Sequence, residues 1–414
     1  MARARRTDNK RAVLKTGEHQ RSNGTYTFNW YDINGKRHFI YGKTLEELRV
    51  KEKDITKKTV NGLNPAGRFK TLNDLYEIWT EVKRGLKNNT FENYKYTYEM
   101  YVKSSLGKMK IDVIKKTDVK RFYNTMVDQR GLSYSVLENI QSVIHQLFDM
   151  AIDDGYISVN PSSNVLKELK KSHSYKTEKR RGLTISEQNL FLKFLKERAI
   201  YRHWYPIFAV MIGSGLRVGE VTGLRWCDID MENGIIDVNH NLVYFCHRSE
   251  AFKKGCYFEC STPKTKGSIR EVPMLGAVKE AFAEQKAYLE DAGLECNAIV
   301  DSYTDFIFLN KDGMVLHQGT LNKALKRIIR DCNDAEFEKN PNPKVLLPNF
   351  SCHSLRHTFT TRCVEAGINV KVLQRWLGHD DITTTLNIYA DCTKEMVDKS
   401  INGLEEFLQA NHDA

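Results

Sequence analysis

The sequence predicts a multidomain fold: a small β-sheet plus helix at the N-terminus, an all-α module, then a larger, mainly α module with a small antiparallel β-sheet. Three observations predict it. The 414 residues exceed what one ordinary hydrophobic core holds, so two or three domains are expected. The apolar pattern changes along the chain, from alternation around residues 26–41 to helical spacing after residue 70. Two stretches read as linkers: Asn61–Lys70, with Gly62, Pro65 and Gly67, and the strongly basic run within residues 166–182.

The first module spans residues 1–62. Tyr26, Phe28 and Trp30 alternate as in a half-buried strand. Asn34-Gly35 is a hairpin turn signal, and Phe39 and Tyr41 alternate on the return strand. Thr44 and Glu47 form a capping-box pattern that opens a helix carrying Leu45, Leu48 and Ile55. Arg3, Arg5, Arg6, Lys10, Arg11, Lys36 and Arg37 surround these elements. Basic residues around an aromatic sheet suggest strands laid in a DNA groove, with Arg5, Arg6, Tyr26, Phe28, Trp30, Lys36 and Arg37 in contact. The bland alternative is a basic tail on an ordinary small domain.

Residues 70–165 read as helical throughout. Leu72, Leu75, Ile78 and Trp79 follow Thr71 at amphipathic spacing. Thr90 opens a segment with Tyr94, Tyr98 and Tyr101, and Leu137, Ile140, Ile144, Leu147 and Phe148 line one face of a later helix. Gly155 and Asn160-Pro161 close the region. Lys83, Arg84, Lys87 and Lys95 are candidates to follow a phosphate backbone, although a charge run on a helix is usually a solvated face. The basic run includes Lys179, Arg180 and Arg181; beside DNA it would add sequence-independent, salt-sensitive affinity.

In the third module, residues 183–392, Ser186 and Asn189 suit a helix start before Leu190, Phe191, Phe194 and Leu195. Pro206–Ile212 is a buried helix stopped near Gly213 and Gly215. Ile235–Phe245 and Tyr257–Pro273 read as strands, with a tight basic P-K-T-K-G-S turn, and Phe306-Ile307-Phe308 as a further short strand. Residues 393–414 form a tail whose Val397, Ile401, Leu404 and Leu408 make an amphipathic stripe, packing in cis or docking on a neighbouring protomer.

Composition narrows the function. Lysine and arginine outnumber aspartate and glutamate 63 to 52, a net +11, which argues for an anionic partner. No apolar run is long enough to cross a bilayer, and the basic N-terminus has no apolar h-region behind it. A cytoplasmic protein with no membrane partner is expected. The nine cysteines are odd in number and scattered, as free thiols in a reducing compartment are. Cys246, His247, Cys256 and Cys260 lack a standard zinc spacing and read as ordinary hairpin residues rather than a metal site. No P-loop motif occurs, so no ATP site is expected, and no Asp/Glu cluster near the candidate site residues suggests a metal; no cofactor is expected.

The chemistry concentrates between Ser351 and Tyr389. The run S-C-H-S-L-R-H places His353 and Arg356 three apart, on one face of a helix. L-G-H ends in His379 after a helix-stopping glycine, and T-T-T-L-N-I-Y ends in Tyr389. Two imidazoles, a guanidinium and a phenol suit the holding of a phosphodiester while a phenol oxygen attacks it. H-S-L-R-H, L-G-H and the later Tyr, with G-L-R-V-G-E at 215–220 upstream, resemble the signature of tyrosine recombinases, closest to conjugative-transposon and Gram-positive phage integrases. Ten positions separate His379 from Tyr389, one more than in many of these proteins and familiar among Gram-positive integrases.

The resemblance implies a DNA breaking-rejoining fold, with an arm-type DNA-binding domain at 1–62, a core-binding domain at 70–165, a linker at 166–182 and a catalytic domain at 183–392. Tyr389 would be the nucleophile. Arg217 and Arg356 would clamp the non-bridging oxygens. His353 and His379 would hydrogen-bond the phosphate and move protons, while His357 would pack beside them. Lys264 would be the general acid, with Lys266 the alternative. Glu220 and Asp228 would be structural, holding arginines or capping turns. The partners implied are double-stranded DNA at element ends and target sites, a homotetramer on DNA or a dimer on one site, and an excision factor or host DNA-bending protein. A type IB topoisomerase-like enzyme and a catalytically inactive architectural protein are the alternatives.

Overall fold

A computed structural model of the chain describes residues 6–31, 35–60, 64, 70–86, 88–172, 181–246, 255–261 and 269–389. They fall into two compact units, the residues up to 172 and those from 181 onward. Arg3, Arg5, Asn34, Lys87, Lys179, Arg180, Lys264, Lys266 and the tail stripe lie outside the described residues, as do His247 and the Cys246 and Tyr389 side chains.

In the first unit, β1 (Glu18–Gln20), β2 (Tyr26–Tyr31) and β3 (Arg37–Gly42) form an antiparallel sheet in that order. The register sets Tyr26 against Gly42, Phe28 against Ile40 and Trp30 against His38. Helix α1 (Leu45–Val60) covers this face with Leu48 and Ile55, and Thr44 Oγ1 caps it, accepting the Glu47 N–H at 3.1 Å.

The expectation that Tyr26, Phe28 and Trp30 meet DNA is corrected here. They belong to the inner face: Tyr26 is buried and donates its hydroxyl to Asp8 at 2.6 Å, and Phe28 and Trp30 pack on the same small core. One helix can cover only one side of a sheet, and alternation fixes the period, not which side is covered. The outward aromatics are Tyr31, Phe39 and Tyr41. The Arg37 guanidinium lies 5.0 Å from the centre of the Phe39 ring, and that of Arg21 lies 5.4 Å from Tyr41.

The helical part comprises α2 (Leu72–Val82), α3 (Asn88–Thr97), α4 (Lys116–Arg130), α5 (Tyr134–Asp153) and α6 (Val165–Ser172). Thr71 and Asp74 close a reciprocal capping box on α2. The fully buried stripe Leu137, Ile140, Ile144, Leu147 and Phe148 of α5 meets Leu72, Leu75 and Trp79 of α2. Helix α3 begins at Asn88, ahead of Thr90, and loosens into a π-helical turn over Tyr98–Val102. The helical core also extends into the run expected to be linker. Val165, Leu166 and Leu169 are buried with α5, because their spacing gives α6 an apolar face despite Lys167, Lys170 and Lys171.

The second unit opens with α7 (Ile185–Glu197), capped by Thr184 and Glu187 rather than Ser186. Then come α8 (Ala199–Arg202), the apolar α9 (Tyr205–Ser214) and the short α10 (Val218–Gly223). The β-structure is divided between two sheets. Strands β4 (Ile229–Asp230), β5 (Ile235–Val238) and β8 (Arg270–Pro273) form one, and β6 (Asn241–Cys246) with β7 (Cys256–Ser261) the other. Phe306-Ile307-Phe308, expected as a short strand, is buried but is no strand; Phe306 makes an isolated bridge to Arg225. Helices α11 (Gly276–Asp291), α12 (Gln318–Lys339), α13 (Cys352–Glu365), α14 (Val370–Leu377) and α15 (Ile382–Tyr389) complete the unit. Among the described residues no helix is long and apolar enough to cross a membrane.

Candidate active site

Three consecutive backbone carbonyls at the end of α14 organise the site. The helix stops at Gly378, whose φ of +59° is left-handed. Arg356, on α13, donates Nη2–H to the Leu377 carbonyl at 2.6 Å and Nη1–H to the Gly215 carbonyl at 2.8 Å. Arg217, the residue before α10, donates Nη2–H to the Gly378 carbonyl at 3.0 Å. The two arginines, 139 positions apart in sequence, thus grip neighbouring peptide units. Gly215 ends α9 at φ +65°, and a Cβ there would lie 2.3 Å from the Phe359 ring. Only glycine lets that carbonyl approach Arg356 beside an aromatic of the same helix.

Glu220 holds the arginines from behind, as expected. Its Oε1 accepts from Arg217 Nη1 at 3.0 Å and its Oε2 from the Arg217 backbone N–H at 2.8 Å. Arg270 binds both oxygens, at 3.0 and 2.9 Å. Burial pushes the Glu220 carboxyl upward, but the bond to Arg270 and the charges of Arg270 and Arg217 outweigh it and hold the carboxyl below the usual range. Asp228 likewise pairs with Arg225, at 2.8 Å. Arg270 is the residue the sequence reading missed.

Arg356 is only 4 % exposed. Burial, reinforced by Arg217 and Arg270 and opposed by Glu220, pushes its guanidinium down to about 9. It stays charged at neutral pH. An anion beside it would be favoured twice, by charge and by relief of this repulsion.

His379 follows the turn. Its Nδ1 lies 2.9 Å from Thr385 Oγ1 on α15, and its carbonyl accepts from Gln374 Nε2 at 3.0 Å. Burial, then the charges of Arg356, Arg217 and Arg270, push the imidazole down to about 4. It is therefore neutral at physiological pH. Because the unfolded imidazole titrates near 6.5, the unfolded chain binds this proton first as pH falls. Stability is expected to drop from about pH 6.5 toward 4. Thermal unfolding between pH 6.5 and 5, above the range where the Glu220 carboxyl of the unfolded chain titrates, should show this loss in the native protein and a flatter profile in His379→Gln.

His353 is exposed and stands edge-on to His357, ring centres 4.8 Å apart. Tyr389 ends α15, one helical turn beyond Thr385. Lys264 and Lys266 fall between the end of β7 at Ser261 and the start of β8 at Arg270. Tyr303 is engaged elsewhere, under the Arg225 guanidinium at 4.7 Å.

Of the residues expected to touch DNA, Lys36, Arg37 and Arg84 are exposed. Arg6 donates to the Lys15 carbonyl at 3.2 Å, and Lys83 lies 5.8 Å from the centre of the Trp79 ring. Lys95 pairs with Glu92 at 2.7 Å. Arg181 forks onto both Glu187 oxygens, at 2.7 and 2.6 Å.

The chain is similar to known proteins over most of its length. The phage integrase family model matches residues 181–396, more than half of the chain. The chain belongs to the phage integrase family. It is a tyrosine-type site-specific recombinase. Residues 1–59 of this integrase match the DNA binding domain of the Tn916 integrase, and residues 71–127 the SAM-like N-terminal domain of phage integrases. The transposase of Tn916 from Enterococcus faecalis and that of Tn1545 from Streptococcus agalactiae are each 31% identical over 402 residues, covering 94% of this chain and 94% of theirs. The structure of the Tn1549 transposon integrase with transposon right end DNA is 28% identical; it covers 81% of this chain and 100% of that one, with a TM-score of 0.69. A lambda integrase dimer on a core site shares the fold at 18% identity, over 91% of this chain and 95% of that one, with a TM-score of 0.52.

Proposed function

We propose that this integrase moves a mobile genetic element of the conjugative-transposon type, cutting and rejoining double-stranded DNA at element ends and target sites without a metal. The Tyr389 hydroxyl oxygen attacks the scissile phosphorus, the bond to the 5′ oxygen breaks, and a 3′-phosphotyrosine forms that conserves the bond energy for rejoining. Arg217 and Arg356 hold the non-bridging oxygens. Each uses two side-chain donors on the protein in the contacts above, of the five N–H bonds a guanidinium carries.

In the tautomer whose Nδ1 accepts from the Thr385 hydroxyl, the neutral His379 has an Nε2–H to give to the phosphate. The exposed His353 takes the tyrosine proton, and Lys264 (or Lys266) gives one to the leaving oxygen. The outward face of the N-terminal sheet, with Arg21, Arg37, Phe39 and Tyr41, replaces the inner face as the surface for arm-type sites, and the helical module contacts core sites. Four strands, each cut by one tyrosine, require a tetramer and a Holliday junction between the two rounds of exchange. An excision factor or host bending protein would assist.

The observation that carries this reading is the grip of Arg217 and Arg356 on neighbouring carbonyls of the turn before His379. Incubation with a nicked suicide duplex carrying candidate element ends tests it. A covalent adduct mapped to Tyr389 through a 3′ phosphate is expected; an adduct on another tyrosine, or on a 5′ phosphate, would refute it.

A further inference from the structure

Arg270 opens β8 and is 5 % exposed. A buried guanidinium is tolerated only where its donors are matched, and here they are matched in an instructive way. Its Nη1 and Nη2 fork onto the two Glu220 oxygens, and its Nε donates to the Trp376 carbonyl at 2.5 Å. Trp376 precedes Leu377 and Gly378, whose carbonyls take Arg356 and Arg217. Three arginines therefore hold three successive carbonyls, and the same Glu220 that receives Arg270 also receives Arg217. A Cβ at Gly378 would lie 3.2 Å from Arg270 Cδ and Nη1, so the turn rests directly on this side chain.

The position of Arg270 in the chain adds a second link. It is the first residue of the strand after the segment that carries Lys264, and its partner in β5 is Val238. Arg270 thus fixes one end of that segment to the frame that aims the two outer arginines.

We propose that Arg270 is a positioning residue for strand cleavage: it locks the Glu220 carboxylate and the Trp376–Gly378 carbonyls in place so that Arg217 and Arg356 converge on one phosphate. The inference rests on the reading of those two arginines as the phosphate clamp. The donors of Arg270 to Glu220 and Trp376 face protein acceptors, so it acts through the other two arginines. Lysine cannot replace it, because an ammonium cannot fork onto Glu220 and reach the Trp376 carbonyl at once.

The test is single-turnover cleavage of the nicked suicide duplex by the full chain, reading rate constant, final amplitude and half-saturating protein concentration separately. In R270Q the rate constant should fall about a hundredfold, as a misplacement of roughly 1 Å in a reacting geometry costs, with half-saturation within about twofold. R270K should fall about tenfold. A merely structural role would instead lower the amplitude, the share of folded protein, at an unchanged rate constant; that outcome overturns the proposal. If R270Q does not fold, R270K is decisive by the same split. Arg217→Ala and Arg356→Lys run in parallel. If they too cleave at the native rate, the clamp reading fails; if they lose cleavage while the Arg270 variants keep the native rate constant, this inference alone fails.

Discussion

Tyr389→Phe is expected to bind the suicide duplex within about twofold of the native protein and to form no covalent adduct at all. The change removes one oxygen and keeps the ring. The chemistry loses everything, because no neighbouring group can replace a phenol that becomes the covalent link. Position makes the effect specific. Thr385, fully buried and bonded to His379, fixes the preceding turn of the same helix, which ties Tyr389 to the turn held by Arg217 and Arg356. Two other tyrosines have other tasks: Tyr98 is stacked in the helical core, and Tyr201 donates its hydroxyl to Asp331. Gel shift and denaturing electrophoresis of the same samples check both halves. A persisting adduct would remove Tyr389 as nucleophile.

The legibility of this site in the sequence has a physical limit. Short boxes reveal groups whose chemistry is rare in combination, so His353, Arg356, His379 and Tyr389 stand out, and Arg217 with them. They do not reveal what a buried charge leans on. Arg270 reads as one more basic residue near a basic turn, although a signal was present. In I-R-E-V-P it shares strand parity with the buried Val272, and an arginine on the core side of a strand must have a partner.

The N-terminal hairpin shows the opposite failure. Aromatics occupy both of its faces, so alternation predicts the strands correctly yet cannot say that Tyr26 faces α1 and Tyr41 faces out. The same holds at α6, where charge masked the spacing of Leu166 and Leu169. Local pattern determines elements; which face is buried is decided by what packs there.

Arg356→Lys should lower the cleavage rate constant about a thousandfold at pH 8, in the range seen when a preorganised donor at a developing charge is lost. The fold should survive, since the ammonium can still reach one of the two carbonyls, at a cost of about 1–3 kcal/mol for the other left unpaired. The more telling expectation is a new pH dependence. The surroundings that bring Arg356 down to about 9 leave an arginine charged at neutrality. A lysine starts lower, and the same burial and the same flanking arginines would push its deprotonation further down, toward neutral pH. The variant would then lose its charge as pH rises and regain it as pH falls, so its rate relative to the native protein should climb from pH 8 to pH 6. Rate constants for both proteins across that range decide the matter. A constant ratio would mean that Arg356 acts through geometry alone, and its burial would then have no part in how the phosphate is held.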